Sequence, residues 1–103
     1  MYIRLHQINL RRDKKMVAFA GLEIMKDIYD VYEVDRGIYD CMFEGEVECT
    51  DLEEVFMKFN VELPEGYKGR SLSVSDVVEV IKSEDIEPGY YYCDIIGFCK
   101  VDF

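Results

Sequence analysis

The sequence predicts an α+β domain, in which an antiparallel or mixed sheet of about four or five strands carries two helices. One segment in the middle of the chain has both the apolar spacing and the end signals of an amphipathic helix. Several other segments are short, rich in β-branched and aromatic residues, and bounded by glycine, proline or acidic stretches, which favours strands. The chain has 103 residues and is 50% hydrophobic, so we expect one domain over residues 1–103 with a buried core.

The clearest element is a helix predicted at residues 51–59. It begins as a capping box, with Thr50 as the N-cap and Glu53 at the third helical position. Its apolar side chains follow the i, i+3, i+4, i+7 spacing of one helix face, and they are Leu52, Val55, Phe56 and Phe59. Similar spacing predicts a smaller helix at about residues 21–29. We expect both helices to pack on the sheet.

Alternating or β-branched runs predict the strands. In chain order they are Tyr2–Leu10, Met16–Ala20, Ile38–Phe43, Val77–Lys82 and Tyr90–Ile96, with Phe98–Val101 as an edge segment. Glu44–Glu46 is predicted as a turn, and Gly97 as a bend or bulge. Strands 77–82 and 90–96 are most easily joined as a hairpin, because only a short acidic connection separates them.

Residues 69–78 form the densest run of small polar and β-branched residues in the chain. Serine side chains compete for nearby backbone groups and so favour turns. Ser73 followed by Asp76 fits a loose capping box, which predicts a single helical turn leading into strand 77–82. The alternative is one helix, because positions 74, 77, 78 and 81 also fit a helical stripe.

Eight residues are candidates for binding, and they are Arg70, Ser71, Ser73, Ser75, Asp76, Tyr90, Tyr92 and Asp94. The first five have two interpretations: a capped turn that fixes entry to a strand, or a loop that binds a ligand or partner. The tyrosines either form an exposed aromatic patch suited to partner recognition or cover the edge of the sheet. Asp76 and Asp94 are the carboxylates most able to meet, if the hairpin brings their ends together.

The sequence carries none of the usual motifs for catalysis, metal binding or cofactor binding. The cysteines have no C-x-x-C spacing, and they are Cys41, Cys49, Cys93 and Cys99. With a single histidine, His6, a zinc site would need ligands gathered from distant segments. We therefore expect reduced cysteines and a structural His6, with no catalytic residue, no metal and no cofactor.

The charge is strongly acidic and unevenly distributed. The net charge is −10; residues 1–39 hold 7 basic and 6 acidic side chains, whereas residues 40–87 hold 4 basic and 14 acidic ones. Such a surface repels phosphate backbones, so direct binding of nucleic acid or anionic membranes is not expected. No apolar run is long enough for a transmembrane helix, and the first residues lack a signal-peptide core. We therefore expect a cytoplasmic protein.

Four strings of the sequence occur in the order expected for a known family. They are YDCMFEG at 39–45, LEEVFMKFN at 52–60, GRSLSVSDV at 69–77 and YYCDIIGF at 91–98. Over them the chain resembles the YodL-like domain family, in which a histidine often stands where this chain has Arg70. The resemblance implies a small α+β module, found alone or within larger proteins of conjugative elements and phages of Gram-positive bacteria, near antirestriction-like domains. It carries over no catalytic residues.

Three functions are compatible with these features. The first is a non-enzymatic cytoplasmic module of a mobile genetic element, which binds a protein partner through an exposed apolar or tyrosine patch. The second is an antirestriction-type acidic mimic of nucleic acid, in which the carboxylates of residues 40–87 line one face. The third is an enzyme, which requires a pocket holding Asp76, Asp94 or His6. We predict the first.

Overall fold

The computed structural model describes residues 1–103, which form five strands and two helices. The strands are β1 (Tyr2–Ile8), β2 (Tyr39–Glu46), β3 (Val77–Lys82), β4 (Gly89–Cys93) and β5 (Phe98–Val101). The helices are α1 (Leu22–Asp27) and α2 (Leu52–Val61), with a 3-10 turn at Arg36–Ile38. The strands form one sheet in the order β2-β1-β3-β4-β5, and every neighbouring pair is antiparallel. This confirms the predicted α+β class and the β3–β4 hairpin, and it excludes the helical alternative for β3.

The start of α2 is a capping box shifted by one residue from the prediction. Asp51 is the N-cap in place of Thr50, and its side chain accepts a hydrogen bond from the Glu54 N–H (2.8 Å). The Glu54 carboxylate accepts one from the Thr50 N–H in return (2.9 Å). Glu54 rather than Glu53 therefore closes the box. As a result, the N–H groups of Thr50 and Glu54 are both hydrogen-bonded at the start of the helix.

The main core lies between α2 and one face of the sheet. Its buried members are Ile3, Leu5, Val47, Cys49, Val55, Phe59, Leu72, Val78, Val80 and Cys93. Val55 and Phe59 supply the inward face of α2, as the spacing predicts, and neither has exposed surface. Burying each such side chain contributes about 1.5–3 kcal/mol. No helix of the structure is long and apolar enough to span a membrane.

Residues 9–38, which we call the β1–β2 connection, cover part of the opposite face of the sheet. Ile8, Val17 and Met25 form a second, smaller core beneath it. α1 belongs to this connection and contributes Met25 to that core. The connection therefore packs as a small layer of its own rather than as a surface loop.

The predicted strand at Met16–Ala20 is wrong, because the segment forms turns. Met16 and Phe19 adopt left-handed backbone, with φ of 58° and 66°. Asp13 explains the difference: its carboxylate accepts hydrogen bonds from the Val17 N–H (3.0 Å) and the Ala18 N–H (2.8 Å). Those donors are satisfied by a local side chain, so the segment needs no neighbouring strand.

The predicted turn at Glu44–Glu46 is also wrong, since β2 continues through it. Glu44 lies opposite Arg4 of β1, and Arg4 Nε donates to Glu44 Oε1 (2.7 Å). Cross-strand pairing thus overrides the local turn signal.

β4 is shorter than predicted, ending at Cys93 rather than at Ile96. The Asp94 N–H donates to the Gly97 carbonyl (2.9 Å), which closes a turn. Gly97 has φ of 70°, a left-handed conformation that glycine adopts without a Cβ clash, so the predicted bend is confirmed.

Candidate functional site

The stretch 69–78 is anchored by Gln7 of β1 and Asp76, which directly precedes β3. Gln7 Nε2 donates to Asp76 Oδ2 (2.9 Å) and to the Arg70 carbonyl (2.9 Å), and the Arg70 N–H donates to Gln7 Oε1 (3.0 Å). The Ser73 N–H donates to the same Asp76 oxygen (2.8 Å), and the Asp76 N–H donates to the Ser73 carbonyl (3.0 Å). A turn is therefore present where a helical turn was predicted, but it is not helical, because Ser75 has φ of 84°. One amide side chain ties this turn to β1.

Asp76 is a buried carboxyl with an incomplete set of partners. It has no exposed surface, and its second oxygen, Oδ1, has no hydrogen-bond partner. Burial disfavours the charged form and raises the pKa of Asp76 to about 6, while hydrogen bonds from Gln7 and Ser73 and the charge of Arg70 act in the opposite direction. The charge of this group therefore changes in the mildly acidic range.

Acidification is expected to stabilise the protein through Asp76. The pKa of Asp76 is higher in the folded state, at about 6, than its ordinary value of 3.8, so the native state binds more protons between these values. The buried Asp76 charge lowers the free energy of unfolding by its full amount above about pH 6, and this loss is relieved as the pH falls towards 4. We expect the free energy of unfolding of wild type, relative to Asp76→Asn, to rise by about 2 kcal/mol from pH 7 to pH 4.5 in urea titrations.

The comparison with Asp76→Asn removes the effect of other carboxyls. Partners lower the pKa of Asp40, Glu44 and Glu54, so these groups lose stabilisation on acidification in both proteins alike. A difference between the two proteins that stays flat or falls over this range would mean that Asp76 titrates at its ordinary pKa.

Ser75 and Tyr92 bind the backbone of the β1–β2 connection. Ser75 Oγ accepts a hydrogen bond from the Phe19 N–H (2.9 Å), and the Tyr92 hydroxyl donates to the Ala20 carbonyl (2.7 Å). Ser75 has φ of 84°, a left-handed conformation that costs a non-glycine residue about 1–3 kcal/mol. Tyr92 is 1% exposed, so the hypothesis that the β4 tyrosines form one exposed patch is wrong.

Asp94 completes these contacts at the start of α1. Gly21 is the N-cap of α1 and has no side chain to cap it; Asp94 Oδ1 accepts a hydrogen bond from the Leu22 N–H instead (3.1 Å). We call Ser75, Tyr92 and Asp94 the polar clamp. Its three members come from the two strings at 69–77 and 91–98, and they bind three backbone groups of a distant segment, at Phe19, Ala20 and Leu22.

The remaining candidates of the 69–77 string also make contacts within the domain. Arg70 Nη2 donates to the Ile8 carbonyl (2.8 Å), and the guanidinium lies 5.5 Å from the centroid of the Phe19 ring. Ser73 Oγ donates to the Ser71 carbonyl (3.0 Å), and Ser71 itself is exposed. This geometry favours the capped-turn interpretation of the string, while a binding role for its residues stays a prediction.

Tyr90 belongs to a separate aromatic cluster. Its ring centroid lies 6.5 Å from that of His6 and 5.2 Å from that of Phe103, and the Arg36 guanidinium lies 5.6 Å from it. His6 is 6% exposed, and its Nε2 lies 3.0 Å from Glu79 Oε1. These contacts give His6 and Tyr90 structural partners, in line with the expected structural role of the histidine.

The carboxylates of the candidate site bind backbone N–H groups, and the Cys93 thiol lies in the main core. Asp76 and Asp94 do not meet as a pair, because each binds different groups. No three His, Cys, Asp or Glu side chains are grouped so as to hold a metal ion. All four cysteines are free thiols, and burial raises the pKa of Cys93 to about 12, which reduces its thiolate fraction.

Thirteen large apolar side chains are exposed, and nine of them lie on the β1–β2 connection or beside it. We define six of them as the apolar surface: Ile24, Ile28, Tyr29, Tyr32, Ile95 and Ile96. Ile24 lies on α1, and Ile28, the C-cap of α1, follows one turn later. Ile95 adjoins the start of α1, since a Cβ on Gly21 would lie 2.7 Å from Ile95 Cγ1. Single exposed apolar residues are ordinary, but their concentration in one part of the molecule favours a contact site, which stays a prediction.

Two residues that build the site lie outside the predicted set. Gln7 is one, and the other is Tyr39, whose hydroxyl donates to the Ser75 carbonyl (2.7 Å). The alternation of the first strand breaks at Ile8, and this is the only signal near Gln7. Nothing in the sequence indicates a partner 69 residues away for Gln7.

These features define a small α+β domain, with a helix on one face of an antiparallel sheet and a clamped connection on the other. The model of the YodL-like domain family matches residues 2–103, and the chain therefore belongs to that family. No curated protein and no solved structure matches the chain.

Proposed function

We propose that this YodL-like domain is a non-enzymatic protein-interaction module that works in the cytoplasm with a mobile genetic element. The observation that carries the proposal is the polar clamp, which fixes the β1–β2 connection while the apolar surface stays in water. Ile28 is 69% exposed and Ile96 is 90% exposed. Apolar area gains about 25 cal/mol per Å² when it is buried, so a partner that covers this surface is favoured.

The partner should bind mainly through apolar contacts. Residues 9–38 hold 6 basic and 6 acidic side chains, so the connection is neutral although the chain carries a net charge of −10. Attraction between exposed charges is screened by salt, whereas burial of apolar area is not weakened by it. Binding to the apolar surface should therefore survive high salt.

The second candidate function is acidic mimicry of nucleic acid, which the 14 acidic side chains of residues 40–87 favour. Seven of the 14 already bind other groups of the same chain, and they are Asp40, Glu44, Asp51, Glu54, Asp76, Glu79 and Glu87. Fewer carboxylates are thus available to imitate a row of phosphates. This is why we place mimicry second.

Site-specific photo-cross-linking in lysate of the source cells separates the two candidates. A photoreactive residue at Ile28, on the apolar surface, is compared with one at Val61, at the end of α2. The two positions are matched in exposure, at 69% and 75%. We expect one protein partner to cross-link from position 28 and not from position 61, with an unchanged yield at about 0.5 M salt.

Variants then test the same surface. Ile28→Asp and Ile96→Asp should each weaken capture of that partner by about tenfold, because each buries a charge in the interface, whereas Val61→Asp should not. Cross-links from position 61 that vanish at high salt, or on neutralising Glu53, Glu54, Glu62 and Glu65, would favour mimicry. If neither position 28 nor position 61 gives a cross-link, the interaction module is contradicted.

A further inference from the structure

A groove with a volume of about 380 Å³ lies beside the turn that follows β1. Three cationic side chains line it, and they are Arg11, Lys68 and Arg70. None of the three takes part in an ion pair. The one carboxylate in the lining, Asp40, already binds Arg12 Nη2 through Oδ1 (2.6 Å). In a chain of net charge −10, the groove is therefore a local site of unpaired positive charge.

Arg70 is held in place before any ligand arrives. Nη2 donates to the Ile8 carbonyl (2.8 Å), and the guanidinium carbon lies over the Phe19 ring, 5.5 Å from its centroid. Nε is buried and has no hydrogen-bond partner. The guanidinium donors that these contacts leave free are held in place, so little side-chain entropy is lost when an oxyanion binds to them. The side-chain amides of Gln7 and Asn9 add polar groups to the same lining.

We propose that this groove binds a phosphate group, carried either by a small phosphorylated molecule or by a phosphorylated side chain. Three cations suit the charge of a phosphate, which is about −1.5 to −2 at neutral pH. The net charge of −10 opposes the approach of a long polyphosphate chain, so a single group fits better than a nucleic-acid backbone. The site goes beyond the interaction module and does not depend on it.

Thermal unfolding in inorganic phosphate, compared with chloride at equal ionic strength, is the first test. A ligand that binds only the native state raises Tm in a saturable way. We expect such a rise, and we expect Lys68→Ala and Arg11→Ala each to increase the half-saturating concentration about fivefold. Lys82→Ala is the matched control, because Lys82 is an exposed cation outside the groove, and it should leave that concentration unchanged.

Backbone NMR shifts and peptide binding complete the test. Phosphate should move the amide signals of residues 9–11 and 68–70, at the two sides of the groove. A phosphoserine peptide that binds at least about tenfold tighter than inorganic phosphate would identify a phosphorylated side chain as the source, whereas a sugar phosphate that binds at least about tenfold tighter than both would identify a small phosphorylated molecule. The proposal is overturned if no saturable rise in Tm occurs, if both groove variants respond like wild type, or if the shifts lie elsewhere.

Discussion

Replacing Gln7 by leucine is expected to lower the free energy of unfolding by about 3 kcal/mol. The substitution removes three hydrogen bonds: two with the Arg70 backbone and one to Asp76. It leaves the buried Asp76 carboxylate with the Ser73 N–H as its remaining donor. A buried charge that loses a partner costs more than the net value of one hydrogen bond, which explains the size of the effect. Urea unfolding at neutral pH measures it.

A second amide two residues further on provides the control. Asn9 is half-buried and binds Asp40 and the Arg11 N–H, both near the surface. We expect Asn9→Ala to cost less than about 1 kcal/mol. The cost of Gln7→Leu should also fall by about 1 kcal/mol or more in an Asp76→Asn background, because the buried group is then neutral. Equal costs for the Gln7 and Asn9 variants would refute a special role for Gln7.

Replacing Phe59 by alanine is expected to cost about 4 kcal/mol of stability. Phe59 has no exposed surface, and its ring centroid lies 5.1 Å from that of Phe43 and 5.4 Å from that of Tyr67, both edge-on. The substitution therefore removes the transfer free energy of the ring, leaves a cavity and breaks two aromatic contacts. Chemical unfolding monitored by circular dichroism gives the value.

The same change at Phe56 is the matched control for Phe59. Phe56 lies on α2 one turn before Asn60 and is half-buried, so it loses less area on truncation. We expect Phe56→Ala to cost about half as much as Phe59→Ala. If the two variants lose the same stability, the main core is not centred on Phe59.

Elements that depend on nearby residues could be predicted from the sequence. α2 follows from its own apolar spacing and its own cap, and only the register of the cap was missed, because Thr50 and Asp51 are both good N-caps. β3 follows from its β-branched residues. A turn between Ser73 and Asp76 follows from the Asp76 carboxylate, which accepts a hydrogen bond from the Ser73 N–H, although the turn is not the predicted helical one.

Elements that depend on distant contacts, or on a single nearby side chain that overrides the composition of a segment, could not be predicted in this way. Met16–Ala20 has the composition of a strand, but the Asp13 carboxylate and the smaller core fold it into turns. The polar clamp joins residues 56 and 72 positions apart, and no local pattern encodes such a separation. The strings at 69–77 and 91–98 indicate Ser75, Tyr92 and Asp94 as candidate residues. They do not indicate that all three bind the backbone of the β1–β2 connection.

The polar clamp is tested most directly by amide hydrogen exchange in Asp94→Ala, with the exposed Asp102→Ala as control. If Asp94 holds the start of α1, its loss should release α1 while the sheet stays folded. The protection of the amides of residues 22–28, which cover α1 and its C-cap, should then fall at least about tenfold relative to that of β1 and β3 in Asp94→Ala, and stay unchanged in Asp102→Ala. An unchanged ratio in Asp94→Ala would contradict the polar clamp, because Asp94 would then stabilise the domain as a whole and not the β1–β2 connection.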